Sequence, residues 1–396
     1  MKRKRLLSLL LLLVLAIPVL FAQLPADLVL PKTDGQAIAG NAAPVLEPLN
    51  TPVAGATNIV SIQPWLRPED YIDGARLRRK LAGYLTHAQA EGWLVPQTLV
   101  VLPEHIGTWL VASGEGYPVF RASGTTAAML WAALGNLPAF STALYGELVD
   151  GGADDPFAAA LFRSKAVLMA AEYQAVFSSL AQQFGVTLVA GSIVLPDPSV
   201  SAGAIRPGQG PLYNASFVFE PGGRIRGPVR KVYPIESELP FTRPSRAPLP
   251  VFDTPAGRLG VLICADSWYP DTWAQLSAAE IVVVPSFSSP SGIWSQPWQG
   301  YNGAKAPADV NPVDIGQISE GEAWRKYALA GRGRHLRGGM NTFLRGDLWD
   351  LGDDGRTTAV VGGRVIQGRQ RDGAVISSVW LAGAGRGGTA PEDSRQ

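Results

Sequence analysis

Strand-like and helix-like runs alternate from Ala56 to about Gly383, and this alternation predicts a layered α/β fold. Composition agrees with it. Hydrophobic residues make up 46% of the chain and charged residues 17%, with 11 tryptophans, which is ample material for a packed core and too little charge for disorder. No repeat of fixed period is present, so solenoids and fibres are poor descriptions. The 396 residues allow two ordinary domains, or one large domain with extensions.

The chain opens with MKRKR and then an apolar run from Leu6 to Ala22, broken by Pro18. A basic stretch before a leucine-rich one reads as an export segment. The run falls slightly short of the ~20 apolar residues that span a bilayer comfortably. Residues 1–22 are therefore a signal peptide or a membrane anchor. Either form leaves the basic end cytoplasmic and everything after Gln23 outside, so the expected location is periplasmic or otherwise extracytoplasmic, secreted or anchored. Residues 23–55 are rich in Pro and Ala without a sustained period and read as a linker.

The body is expected over residues 56–383. TNIVSIQPWL reads as its first strand. Helical spacing follows from Glu69 to Gln89, with Leu77, Leu81, Tyr84 and Leu85 on one side. TLVVLPEH is a strand ending in a Pro-broken loop. Met129–Leu144 and Ala158–Phe184 read as helices, and GVTLVAGSIVL as a strand closed by Pro196. YNASFVFEPGGRIRGPVRKVYP has the form of a hairpin turning at PGG. GRLGVLICADSWYP is a strand running into a turn, followed by a helix over Thr272–Ala279 and the buried strand EIVVVPS. A Trp-, Ser- and Pro-rich loop covers Ser286–Asn311. A helix over about Glu320–His335 then precedes hairpin strands in RGGMNTFLRGDLWDLGDDGRTTAVVGG. Residues 384–396 read as a flexible polar tail.

Charge excludes one class of function. Lys plus Arg number 34 against 33 Asp plus Glu, and four of the cations are Lys2, Arg3, Lys4 and Arg5, so the body carries no basic footprint for nucleic-acid phosphates. One cysteine, Cys264, rules out an intrachain disulfide and C-x-x-C chemistry. His87, His105 and His335 lie far apart with no ligand spacing, so no metal or other cofactor is expected. No G-x-S-x-G elbow is present for a serine hydrolase.

Three residues stand where apolar strands stop. Cys264 follows GRLGVLI, at the kind of strand end where layered α/β folds collect reactive groups; an inert buried thiol is the ordinary alternative. Glu104 follows LVVLP, where partial burial raises a carboxylate toward the range of a general base; a solvated loop glutamate is its alternative. Lys231 ends the hairpin, in a chain where lysine is scarce beside arginine. A compact ammonium can face a developing oxyanion, and a surface charge is the bland reading. His105 beside Glu104 contacts substrate or is a hydrogen-bonded structural residue. Trp294, Trp298 and Tyr301 line a pocket mouth or pack on the body. The apolar stretch Thr125–Gly146 is a core helix, an active-site cover or a bilayer contact. GRGRHLR, Gly331–Arg337, meets an anion or completes a helix C-terminus.

Taken in order with their flanks, LVVLPE, YNASFVFEPGGRIRGPVRK and GRLGVLICADSWYPD resemble the carbon–nitrogen hydrolase, or nitrilase, superfamily. TNIVSIQP, with Gln63, resembles its opening strand, GVTLVAGSIV its third-strand region and VVVPS the strand after the nucleophile helix. The resemblance covers most of residues 56–365. It implies a four-layer α-β-β-α sandwich of the nitrilase type. It also implies Cys264 as nucleophile, Glu104 as general base, Lys231 as the cation near the oxyanion and the Ala265 N–H as a second oxyanion donor. The family's further glutamate corresponds to Glu236 or Glu238, and ESELPF favours Glu238; the spacing from Lys231 is shorter than the family's. Asp266 and Asp271 fall where the family has acidic residues and are expected to hold the turn. The implied activity is hydrolysis of a nonpeptide amide, more than a nitrile, through a Cys-bound thioester. A membrane N-acyltransferase and a noncatalytic binding member are the alternatives. The expected partners are a small-molecule substrate and, through the N-terminal segment, a membrane; a homo-oligomer is left open.

Overall fold

The computed structural model describes residues 43–53 and 55–381. The segment 1–22, most of the linker and the tail 384–396 lie outside the described residues. The α/β reading holds. Two sheets face each other, with helices on their outer faces.

The larger sheet runs, in spatial order, Val45–Pro48, Val375–Trp380, Asn58–Gln63, Leu99–Val101, Thr187–Val189, Leu212–Phe219 and Ile225–Arg230, with Ile193–Pro196 also paired to Leu212–Phe219. The smaller sheet runs Val251–Thr254, Gly257–Val261, Ile281–Ser286, Gly338–Phe343, Thr358–Val361 and Arg364–Gln367. The parallel-paired residues at the heart of each sheet are buried on both faces, as sheets covered on both sides require.

Alternation along those strands builds the two cores. Ile59, Leu99, Val101, Val189 and Val218 of the larger sheet pack with Val261, Val283, Met340 and Val360 of the smaller. The intervening Val60, Val100, Leu188, Phe217 and Phe219 face the helices Gly74–Ala90 and Pro156–Phe184, through Leu77, Leu81, Met169, Tyr173 and Phe177. On the far side Leu276 and Leu329 sit over Gly260 and Gly339, where a Cβ would come within 2.8 Å of either leucine. A buried polar belt also pins the sheets together: Thr342 Oγ1 donates to Ser61 Oγ at 2.8 Å, and Thr357 Oγ1 to Gln63 Oε1 at 2.5 Å.

Local signals explain the helix bounds. Asp155 caps Pro156–Phe184 by accepting from the Ala158 N–H at 2.9 Å, Pro156 presets the first turn, and Gly185 ends it at φ +64°.

Several bounds differ from the sequence reading. Val45–Pro48, expected in the linker, is an edge strand paired in parallel with Val375–Trp380, so the body begins before residue 56. The pairing partner lies 330 residues away and leaves no local trace. The helix expected over Met129–Leu144 is two, Thr125–Gly135 and Leu137–Asp150, bent by 109° at Asn136, because Pro138 cannot continue a helix from the preceding turn. GVTLVAGSIVL is two strands parted at Gly191. The helix after Cys264 is Pro270–Gln275, and the Glu320 helix stops at Tyr327 before a second short turn, Leu329–Arg332. Among the described residues no single helix is long and apolar enough to cross a membrane; the bent pair qualifies only as a pair.

Candidate active site

Each of the three sequence-selected residues sits just past a strand in the two-sheet core. Glu104 lies three residues beyond Leu99–Val101, Lys231 directly after Ile225–Arg230, and Cys264 three residues beyond Gly257–Val261. All three are buried, at 2%, 1% and 5% exposure, and all line one cavity of about 950 Å³.

Lys231 is the hub. Its Nζ donates to Glu104 Oε1 at 2.7 Å and to Glu238 Oε2 at 2.5 Å. Asn214 ties the same two carboxylates, donating through Nδ2 to Glu104 Oε1 at 2.9 Å and Glu238 Oε1 at 2.8 Å. Glu238 Oε2 also accepts from the Ile235 N–H at 3.0 Å. Of the two candidate glutamates, then, Glu238 joins the cluster. Glu236 is exposed at the cavity's edge. Burial works against the ammonium, but the charges of Glu104, Glu238 and Cys264 outweigh it and hold Lys231 well above the ordinary lysine range. Burial likewise works against ionised Glu238, and Lys231 with His105 overrides it, leaving Glu238 far below the usual carboxylate range.

The thiol is presented by a sharp turn. Cys264 has φ +50°, unusual for a residue with a side chain, and opens a 3₁₀ turn, Cys264–Trp268. Its carbonyl accepts from Ser267 Oγ at 2.7 Å, and its Sγ lies 3.7 Å from the Phe287 carbonyl. Burial raises the thiol's pKa well above its ordinary value; Glu104 adds to this and Lys231 offsets only part. Ala265 follows Cys264 along the same cavity wall.

Asp266 holds the thiol turn to the lysine loop. Its Oδ1 accepts from the Val232 and Tyr233 N–H groups at 2.9 and 2.8 Å, and its Oδ2 from the Ile263 N–H at 3.2 Å. Burial pushes its pKa up to about 7 against the pull of Lys231 and these donors. Asp271 is peripheral, accepting from the Tyr233 hydroxyl at 2.8 Å.

His105 reaches both neighbours. Its Nε2 lies 3.4 Å from Glu238 Oε1, and its Nδ1 pairs with Thr108 Oγ1 at 3.0 Å. Glu104, His105 and Glu238 have the spacing of a cation site, but the Lys231 ammonium already bridges the two carboxylates. A cation there would have to displace it.

The walls come from further away. Trp298 and Tyr301 line the cavity, while Trp294 packs behind against Phe343 at 5.4 Å. Thr125 and Met129 of the helix Thr125–Gly135 also line the cavity. The Gly331–Arg337 cluster lies elsewhere, its Arg332 paired with Asp309 at 2.7 Å. Asn214, Trp268 and Trp324 were not singled out from the sequence as site residues. The signal for Asn214 in the sequence was the Tyr-Asn pair that opens the strand Leu212–Phe219.

The family model described as carbon-nitrogen hydrolase matches residues 98–306. A nitrilase and fragile histidine triad fusion protein, NitFhit, of Caenorhabditis elegans is 26% identical over 126 residues, 29% of this chain and 27% of that protein. The match thus spans about a quarter of that relative's length. Among solved structures, an amidase from Nesterenkonia sp. superposes with a TM-score of 0.47 at 15% identity, covering 83% of this chain and 92% of that one. A mutant of the Nesterenkonia AN1 amidase, described as from the nitrilase superfamily, gives 0.49 at 15%, covering 84% and 93%.

Proposed function

The chain belongs to the carbon–nitrogen hydrolase family, and from that premise we propose that it hydrolyses a nonpeptide amide through a thioester on Cys264. The observation that carries this reading is the shared burial of Cys264 with the Glu104–Lys231 ion pair on one cavity wall. A thiol with a raised pKa needs a base at hand, and Glu104 is the carboxylate that takes its proton. The sulfur attacks the carbonyl carbon, and the C=O electron pair moves to oxygen. Lys231 and the Ala265 N–H meet that charge. Collapse breaks the C–N bond, with the proton from Glu104 leaving on the nitrogen. Water, deprotonated by Glu104, then attacks the thioester, the C–S bond breaks, and the acid and the thiol are released. Glu238, Asn214 and Asp266 hold this machinery in register.

Acyl transfer to an amine at a membrane is a second reading. One observation favours it: Tyr145, Leu148 and Val149 stand exposed on the second helix of an apolar bent pair whose first helix lines the cavity. Export by residues 1–22 belongs to the same proposal. Ammonia release from a panel of short amides, with Cys264→Ala as control, tests hydrolysis. An added amine acceptor that takes the acyl group faster than water puts the transferase first, and turnover by Cys264→Ala equal to wild type ends both.

A further inference from the structure

The cavity is strongly and unevenly charged. Among the described residues five carboxylates line it, Glu104, Asp155, Glu236, Glu238 and Glu320, against the single ammonium of Lys231. The chain is arginine-rich, yet among the described residues no arginine lines this space. Lys231 is spent on Glu104 and Glu238. Among the described residues no ion pair joins a cation to Asp155, Glu236 or Glu320, although Asp155 caps a helix. Burial pushes the Glu320 carboxyl up to about 7, and a hydrogen bond from the Trp324 side chain offsets only part of this.

The opposite character of the walls is aromatic. Trp268, Trp298, Tyr301 and Trp324 all line the cavity. Trp268 stacks on Trp298 at 5.8 Å between centroids and meets Trp324 at 4.9 Å and Tyr301 at 5.7 Å edge to face. Trp268, Trp298 and Trp324 share a buried cluster with Cys264. The chain's own cation–π contacts fall on Tyr117, Phe252, Tyr213 and Tyr327, on none of these four rings. Arg332, which interacts with Tyr301, is already paired with Asp309 at 2.7 Å. Aromatic rings beside a carboxylate that has no cationic partner, in a partly desolvated pocket, attract an organic cation. At about 950 Å³ the cavity lies near the top of the ~300–1,000 Å³ range of ligand pockets, far more than a two-carbon amide fills.

We infer that the substrate is an amide carrying a cationic group, an ammonium or guanidinium, several bonds from the scissile carbonyl, received by the Trp268, Trp298, Tyr301 and Trp324 rings and by Glu320. This rests on the amide-hydrolysis reading. It excludes amides whose far end is a carboxylate, which would add a sixth negative charge to the cavity.

Three probes of matched length test it: 6-aminohexanamide, heptanamide and adipic acid monoamide. Calorimetry on the full chain carrying Cys264→Ala measures binding without turnover, and kcat/KM on the wild type measures the same preference independently. The cationic probe is expected to bind at least tenfold tighter than heptanamide and to be turned over at least tenfold faster in kcat/KM. Glu320→Gln should cut that cationic-to-neutral ratio severalfold, and 0.5 M salt should narrow it. Equal or tighter binding of the neutral or anionic probe overturns the inference, as does binding of none. If the cationic preference in binding is present while no probe is hydrolysed, the inference stands and the hydrolysis reading falls.

Discussion

The Lys231 ammonium donates to Glu238 Oε2 at 2.5 Å across seven residues of chain, with both residues buried. Lys231 also holds Glu104, so its removal strands two buried carboxylates. Losing one partner of a buried pair costs about 3–5 kcal/mol. Lys231→Met is expected to lower stability by about that amount and to remove turnover. Denaturant unfolding and ammonia release check the two effects separately.

Glu238 is held far below the ordinary carboxylate range, with burial opposing and Lys231 and His105 prevailing. A depressed carboxylate contributes stability that is present above its unfolded pKa and is lost as pH falls through the folded one. From pH 5 downward the wild type should therefore lose stability more steeply than Glu238→Gln. Urea midpoints at pH 5, 4 and 3 measure the difference, and parallel slopes would contradict it.

Burial and Glu104 raise the Cys264 thiol, with Lys231 offsetting only part. In the free protein the Cys264 thiolate is therefore scarce at neutral pH. Alkylation of Cys264 by iodoacetamide should be slow at pH 7 and still climbing at pH 9. A rate that has levelled off by pH 7 would mean the thiolate forms without substrate.

Asp266 accepts three backbone N–H groups, one from the turn carrying Cys264 and two from the loop carrying Lys231. Unpaired buried donors cost about 1–3 kcal/mol each. Asp266→Ala is expected to destabilise by several kcal/mol and to depress kcat through misplacement of both groups, whereas Asp266→Asn, which keeps one acceptor oxygen, should recover part of the stability. Equal stability of the two variants would argue against the tie.

Gly191 parts two strands at φ +64°, and a Cβ there would meet the Pro103 carbonyl at 1.9 Å, one residue before Glu104. Gly203 has a similar φ of +73° and open space around it. Left-handed backbone alone costs about 1–2 kcal/mol in an L-residue. Gly203→Ala should show that loss and keep activity, while Gly191→Ala should lose more stability and most activity. Melting curves and turnover of the pair separate strain from displacement of Glu104.

The sequence by itself determined the α/β class and the strand ends on which Glu104, Lys231 and Cys264 stand, because continuous apolar runs closed by Pro, Gly or charge are local signals. Gly74–Ala90 and Pro156–Phe184 were legible for the same reason: capping residues and helical spacing act within a few residues. The ESELPF stretch favoured Glu238 over Glu236, but only the tertiary structure put its carboxylate on Lys231, since two residues of loop separate a buried oxygen from an exposed one and loop conformation answers to packing. It also decided that Val45–Pro48 joins the sheet beside Val375–Trp380, and that Asn214 bridges carboxylates from two other segments. Contacts between residues 24 to 330 positions apart depend on how the layers close over one another, and nothing in the flanking residues of either partner encodes that closure.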